Sequence, residues 1–491
     1  MEREDVEIKW NKERVIKGKK GRRLLDTLRD NGVFISAPCG GNGTCGKCRV
    51  NVDGESFLAC DYILERDIEA FPELSEENMQ AVSAEYESKA DIRLPGLAID
   101  LGTTTIALAV VDISDGRIVG SESCINHQRS FGADVISRID AAVSGRAMLL
   151  RSTVQKDILN EAGLLMEKTG SGLGTLKKIV ISGNTTMLQL LMGWPADGLA
   201  AYPFSPFRIE GGIFSFNEVF NSSESDAEVM ILPGVSAFVG ADIVSGAENT
   251  GIAKSESMRA LIDLGTNGEM VVGNSEKLWV TSTAAGPAFE GGNLRYGMPG
   301  VSGAISHVNF ENGKCAVQTI GGGEAKGICG SGLVEAVYEL RKNDIIDRNG
   351  IFADEYSKGY PLSFGARDIY ITQGDIQEFL LAKAAIRTGF EILLMKAGLK
   401  AEELADIYIA GGFGFFLDLE KAAGIGLLPA ELKKKMKAVG NSSLKGAVDA
   451  LSSWPAAEFG ETAAKAESFE LAEISEFNER YIENMRLDIS E

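Results

Sequence analysis

The sequence predicts a multidomain chain, α+β at its start and α/β beyond, on three observations. Its 491 residues exceed what one hydrophobic core can organise, so two to four domains are expected. At Pro95 the pattern changes from short polar alternating runs to long apolar strands joined by Gly-Thr turns. Asp100-Leu101-Gly102-Thr103 and Asp263-Leu264-Gly265-Thr266 are the same four letters in the same strand–turn–strand setting, too far apart for a solenoid repeat. Two related α/β halves are therefore expected, at 95–257 and 258–491, behind an N-terminal unit of residues 1–71 and a linker of residues 72–94.

The N-terminal unit begins with two alternating runs, "DVEIKW" and "RVIKG", that predict strands. "RRLLDTLRDNGV" follows with helical spacing, Leu24, Leu25 and Leu28 on one face. "CRVNVDGESFLAC" predicts a hairpin turning at Asp53-Gly54 and ending at Cys60. The polar, acidic stretch 72–94 predicts a linker or short helix. In each half, strand, Gly-Thr turn, strand, turn and strand follow one another. Helices are expected at 151–168, 328–343, 374–397 and 467–486, the last an acidic amphipathic surface helix.

Composition excludes some function classes. A net charge of −21 argues against nucleic acid or an anionic membrane as the main partner, since both need basic patches. The sequence contains no run of 18 apolar residues, and its charged start has no signal-peptide core. Seven cysteines, four of them clustered at one end, do not form a disulfide framework, and a reducing cytoplasm is the expected compartment.

Those four are Cys39-x5-Cys45-x2-Cys48-x11-Cys60. Tetrahedral thiolate ligation suits zinc or an iron–sulfur cluster. Zinc sites usually carry two C-x2-C knuckles or Cys paired with His, and neither His127 nor His307 is close in sequence. The intervening "GGNGT" lets backbone N–H groups turn inward toward inorganic sulfide. The spacing after strand, strand and helix resembles the β-grasp [2Fe–2S] ferredoxins, with the longer, adrenodoxin-like first loop and a shorter segment before the fourth cysteine. The resemblance implies a [2Fe–2S] cluster held by Cys39, Cys45, Cys48 and Cys60.

A strand ending in Asp and running into a Gly-Thr turn is a phosphate-gripping device. Glycine lets the backbone approach, successive N–H groups make an anion nest, and threonine hydroxyls add donors. Asp100 and Asp263 are the candidate catalytic carboxylates, placed to hold Mg²⁺ or orient an attacking water. Gly102, Thr103, Thr104, Thr105, Gly265, Thr266, Asn267 and Glu269 are candidate phosphate contacts. Single turns of this kind also arise for steric reasons; two copies, one in each half, point to a shared cleft. "DIYIAGGFGFF" supplies a third element, a buried strand running into Gly411, Gly412 and Phe413, against which a purine can lie flat. Gly183 and Asn184 in "ISGNTTM", and the stretch "AAGPAFEGG" at 284–292, are further candidates for nucleotide or Mg²⁺ contact, equally explained as strand-to-helix turns. Cys329, in "GICGSG", reads as a small packing residue, and Cys124 and Cys315 as core. Neither histidine has a partner cluster; His127 is the better catalytic candidate.

The ordered motifs Asp100–Thr105, Asp263–Glu269 and Ala410–Gly414 resemble the acetate kinase, sugar kinase, heat-shock protein and actin ATPase superfamily, with its duplicated ribonuclease H-like domain and its ATP site. An N-terminal ferredoxin, a linker and such an ATPase together resemble the reductive activators of corrinoid proteins. That resemblance implies ATP-dependent transfer of one electron from the cluster to Co(II), regenerating Co(I) in the methyltransferase systems of anaerobes. It implies a corrinoid protein as partner, an upstream electron donor and a homodimer. The sequence has no cysteine after Cys329, so a single cluster is expected. A plant-type [2Fe–2S] couple lies near about −400 mV and the cobalt couple is expected lower, so ATP has a thermodynamic task. The alternatives are an ATP-driven donor to another low-potential enzyme, a small-molecule kinase with an accessory ferredoxin domain, or an electron carrier with a degenerate ATPase scaffold.

Overall fold

A computed structural model describes residues 5–35, 37, 39–41, 43, 46–73, 85–86, 92–311, 313–365, 368–411 and 417–489. Cys45, Gly412, Phe413 and most of the expected linker lie outside the described residues.

The N-terminal unit is a five-stranded sheet in the order Arg14–Lys19, Asp5–Trp10, Ile68–Pro72, Arg49–Val52, Glu55–Leu58. The first strand pairs parallel to the last, Ile8 opposite Ile68, which is the β-grasp arrangement. Leu24, Leu25 and Leu28 of helix Leu24–Asp30 are buried against Val6, Ile8, Val50 and Ile68, as the helical spacing requires. The hairpin turns where expected, with Asp53 and Gly54 at φ 52° and 98°, the left-handed pair of a two-residue turn. Its second strand stops at Leu58, two residues short of Cys60.

Each α/β half is built on a central strand that carries the repeated tetrapeptide. Pro95–Leu101 lies between Lys178–Gly183, parallel to it, and Thr105–Asp112, antiparallel. Arg259–Leu264 lies between Asp406–Ala410, parallel, and Asn267–Gly273, antiparallel. The central strands are apolar along nearly their whole length because both faces are covered. The full sheets have seven and six strands. Helix Ala147–Lys168 covers the first through Leu150, Val154, Ile158, Ala162 and Leu165, a stripe of i, i+4 and i, i+3 steps. Helix Gln373–Ala397 covers the second; it is opened by a Thr372/Asp375 capping box and closed by Gly398 at φ 70°. These helices, and Gly330–Lys342, lie within a few residues of the expected stretches.

Two features differ from expectation. The stretch 467–486 is not one helix. Ala466–Ser468 adds as a parallel edge strand to Leu278–Ala284, and the helix is confined to Phe477–Glu483. Thr281 Oγ1 donates to the Phe469 carbonyl at 2.9 Å and Leu471 is buried, so edge pairing and docking override the amphipathic pattern. Helix Ser442–Ser452, in the second half by sequence, buries Ala447, Ala450 and Leu451 in the core of the first half. That crossing brings its N-terminus to the floor of the cleft between the halves.

Candidate nucleotide cleft and cluster loop

The two Gly-Thr turns face each other. Thr104 Oγ1 lies 3.4 Å from Thr266 Oγ1, and a cavity of about 120 Å³ runs between the turns. Asp100, Gly102–Thr105, Asn184, Asp263, Gly265–Asn267, Glu269 and Gly411 all line it, so the sequence candidates converge from both halves. A cavity of this size matches phosphate groups rather than a whole nucleoside.

The glycines differ in what they permit. A Cβ at Gly102 would sit 2.6 Å from the Thr105 carbonyl oxygen, so the first turn excludes side chains by its own sterics. A Cβ at Gly265 would meet nothing closer than 3.4 Å, so the second turn is open to a ligand. Gly411, at φ 109°, presses on the Leu264 carbonyl, where a Cβ would come within 2.4 Å. Gly183 does not line the cavity; its backbone packs on Leu101, where a Cβ would lie 2.6 Å from the carbonyl oxygen. Its neighbour Asn184 caps helix Thr185–Met192 with its Oδ1 and donates from Nδ2 to Thr103 Oγ1 at 3.0 Å.

The two candidate carboxylates are held differently. Asp100 accepts from Asn441 Nδ2 and from Ser443 Oγ, each at 2.7 Å, both at the start of helix Ser442–Ser452. Asp263 has no hydrogen-bond partner shown among the described residues. Burial, reinforced by Asp242, Asp100 and Glu290, pushes its carboxyl up to about 8. Burial and Asp100 push Asp242 up to about 7, and Glu269 is raised by burial, Asp242 and Asp263. Burial also raises Asp100, against the two hydrogen bonds that favour its charge. Among the described residues no three of these carboxyls are grouped closely enough to hold a metal ion by themselves, so they fit only a divalent cation that a nucleotide's phosphates also hold, whose charge would offset their crowding.

Glu290 closes the cleft. Its Oε1 accepts from the Thr266 N–H at 3.0 Å, and its Oε2 accepts from Thr266 Oγ1 at 2.8 Å and from Thr104 Oγ1 across the cleft. The carboxylate thus occupies donors of both Gly-Thr turns. Asp242, Glu290, Asn441 and Ser443 were not individual sequence candidates. Glu290 lies in the glycine-rich 284–292 stretch, and Asp242 opens helix Ala241–Asn249; Asn441 and Ser443 carried no local signal.

A larger cavity, about 550 Å³, shares Asn184, Asn267 and Glu269 with the cleft and is walled by Phe204, Phe238, Phe469 and Leu471. It lies toward the Leu278–Ala284 edge, on the far side of the sheet from Asp406–Ala410.

In the N-terminal unit, Cys48 and Cys60 are buried and within hydrogen-bonding contact; Cys39 is half-buried on the same loop. Burial and Cys48 push the Cys60 thiol up to about 12. Gly40, Gly41, Gly43 and Gly46 all have left-handed φ, between 63° and 101°. A Cβ on Gly41 would lie 3.9 Å from Cys60 Cβ and 3.1 Å from Leu25 Cδ2. The buried Arg29 Nε has no acceptor among the described residues, a donor left over beside the thiols. The glycine cradle and the paired thiols fit an iron–sulfur cluster. Among the described residues no group of three or more His, Cys, Asp or Glu is arranged around a metal, and Cys45 is not among them.

Cys329, at the start of helix Gly330–Lys342, is buried and donates to the Ile305 carbonyl at 3.2 Å, a packing role. His127 Nδ1 pairs with Asp157 Oδ1 at 2.9 Å, and its ring lies 5.5 Å from Phe34 of the N-terminal unit. It stands at a domain boundary, away from the cleft lining.

A β-grasp unit with a cysteine loop, joined to two actin-like halves around a phosphate-sized cleft, defines a class: an iron–sulfur domain fused to an ATPase-like domain. Comparison with known proteins agrees. Residues 8–76 match the 2Fe-2S iron-sulfur cluster binding domain, 95–255 the RACo middle region, and 257–491 the C-terminal domain of RACo, the ASKHA domain. The two RACo models between them match nearly all of the chain after residue 94, so the chain is similar to RACo proteins along both α/β halves. It is 35% identical to the corrinoid activation enzyme RamQ of Eubacterium limosum over 72% of its own length and 63% of that protein's. It is 25% identical to a [Co(II) methylated amine-specific corrinoid protein] reductase of Methanosarcina barkeri, over 71% of this chain and 68% of that one. The match thus spans about two thirds of these relatives. Among solved structures, a reductive activator for corrinoid, iron-sulfur protein superposes with TM-score 0.77 at 29% identity, over 99% of both chains. Among the described residues no helix is long and apolar enough to cross a membrane.

Proposed function

We propose that this chain reductively activates a corrinoid protein, passing one electron from a [2Fe–2S] cluster to Co(II) and giving Co(I), at the expense of ATP hydrolysis to ADP and phosphate. The observation that carries this reading is the joining of two sites in one chain: a cysteine loop fit for a cluster, and a cleft whose donors are aimed at phosphate.

The cluster supplies a one-electron couple near about −400 mV. Cys39, Cys45, Cys48 and Cys60 would hold it, with the glycine-rich backbone between them free of side chains that would crowd it. Thr103, Thr104, Thr266 and the turn N–H groups bind phosphate, with Gly411, Gly412 and Phe413 against the nucleoside. Asp263, without a hydrogen-bond partner among the described residues, takes Mg²⁺ or the attacking water, while Asp100, fixed by Asn441 and Ser443, holds the opposite wall. Nucleotide must displace Glu290 from the turn donors, which releases the contact between the two halves and couples occupancy to cleft geometry. Each ~59 mV of uphill transfer costs tenfold in a one-electron equilibrium, so the coupling to ATP is what makes the product accumulate.

The partner is a corrinoid protein in its Co(II) state, with a separate low-potential donor upstream. The test is ATPase activity of the cluster-loaded protein with and without a Co(II) corrinoid protein. Stimulation by that partner and not by a sugar or acetate supports the reading; phosphorylation of a small molecule overturns it in favour of a kinase.

A further inference from the structure

The segment from Asn126 to Gly132 joins the first Gly-Thr turn to the cysteine loop. On the cleft side, Asn126 Nδ2 donates to the Gly102 carbonyl and its backbone N–H to the Thr104 carbonyl, each at 2.9 Å. The buried Arg138 donates to the Thr103 carbonyl at 2.5 Å and to the Gly132 carbonyl at 3.0 Å. On the cluster side, Arg29, only 2% exposed, donates to the Gly40 carbonyl at 3.2 Å and to the Ser130 carbonyl. Its guanidinium carbon sits 5.2 Å from the centre of the Phe131 ring, and Phe34 meets the same ring edge-on.

One planar guanidinium therefore binds a carbonyl of each domain and covers an aromatic face, a task that a lysine ammonium performs poorly. A second contact, Arg146 to Asp26 at 2.8 Å, closes the same interface. The docking also puts Lys47, the residue before Cys48, on the wall of a cavity of about 160 Å³ that it shares with Thr104, Arg129 and Glu290 at the mouth of the cleft.

We propose that Arg29 is a positioning residue that docks the cluster-binding domain over the mouth of the nucleotide cleft, so that nucleotide phosphates lower the reduction potential of the cluster. The inference rests on the function proposed above. The sign follows from Coulomb's law: negative charge brought near a couple stabilises its oxidised form. The direction is useful, because it makes the cluster a stronger reductant only while nucleotide is bound. A triphosphate, with more charge, should act more strongly than a diphosphate.

The test is an EPR-monitored redox titration of the cluster-loaded, full-length protein without nucleotide, with ADP, and with a non-hydrolysable ATP analogue. Calorimetry confirms nucleotide binding, and the visible spectrum confirms the cluster. The wild-type protein should shift downward by at least tenfold in the reduction equilibrium with the analogue, about 59 mV, and by less with ADP. Arg29→Lys keeps the charge and loses the fork; it should bind nucleotide and retain the cluster but shift less than threefold. Arg146→Ala, at a half-exposed site away from the cysteines, should shift by an intermediate amount and covers the case in which Arg29→Lys does not fold. A merely structural role for Arg29 would leave the nucleotide dependence intact. Binding without any shift in the wild-type protein, or a full shift in every variant that folds, overturns the proposal. Failure to bind nucleotide at all would overturn the proposed function with it.

Discussion

Glu290 and Thr104 belong to opposite halves of the α/β region and are joined by a hydrogen bond from the threonine hydroxyl to the carboxylate, which also binds the N–H and hydroxyl of Thr266. An internal carboxylate thus occupies the donors of both turns, where the proposed function places a phosphate. Glu290→Gln removes a negative charge from that place and weakens the clasp. It is expected to bind nucleotide roughly tenfold more tightly when Mg²⁺ is withheld, about 1.4 kcal/mol, measured by titration calorimetry. Weaker binding would mean that Glu290 helps hold the ligand.

Asp100 depends on two residues more than 340 positions away, Asn441 and Ser443. Asn441→Ala leaves a crowded carboxylate short of a donor and removes the cap of helix Ser442–Ser452. The expected cost is about 1–3 kcal/mol of stability. Nucleotide turnover should fall with it, because the helix no longer holds Asp100 against the first turn. Denaturant unfolding and phosphate release measure the two effects.

Asp263 is held up to about 8 and Asp242 up to about 7, well above their values in an unfolded chain. Groups raised in this way favour the folded state while protonated. Their contribution is fully present below pH 4 and is lost as the pH rises through 7 and 8. The nucleotide-free protein should therefore lose thermal stability between pH 5 and 9, and Asp263→Asn should flatten the slope, gaining at least about 2 °C in Tm at pH 8.5. Parallel profiles for the two proteins would show that Asp263 is not protonated in the empty cleft.

The two sites should fail separately. Cys45→Ala or Cys60→Ala is expected to lose the visible bands and the iron of the cluster while ATP hydrolysis survives. Asp263→Ala is expected to keep the cluster spectrum and lose hydrolysis. Cys124→Ala, in the first α/β half, should change neither. A cluster that survives Cys60→Ala would give the fourth ligand to another residue.

What the sequence made legible was local in the chain. The Asp53-Gly54 turn and the cysteine spacing announce themselves within about two dozen residues, and the repeated Asp-Leu-Gly-Thr is legible because its two copies are identical. The strand Ile68–Pro72 was obscured by its proline and its place beside an acidic stretch, although it lies in the middle of its sheet. The helix expected at 467–486 has convincing amphipathic spacing, but pairing of Ala466–Ser468 with Leu278–Val280 and burial of Leu471 decide otherwise. At the cleft, Asp242 lies in the glycine-rich stretch 240–246, whereas Asn441 and Ser443 act through tertiary placement and nothing beside them in sequence marks it. Arg29 looks like one more charge on a short helix until Gly40 and Ser130 are seen on either side of it.

The most direct measurement is anaerobic. The cluster-loaded protein is mixed with a Co(II) corrinoid protein and a low-potential reductant, and the Co(I) absorbance band is followed with and without Mg-ATP. Co(I) that forms with ATP, and fails to form when ATP is withheld or when Cys45→Ala replaces the wild type, is the predicted result. Co(I) forming equally well without ATP, or not forming although the cluster is reduced and ATP is hydrolysed, would contradict ATP-driven electron transfer to cobalt.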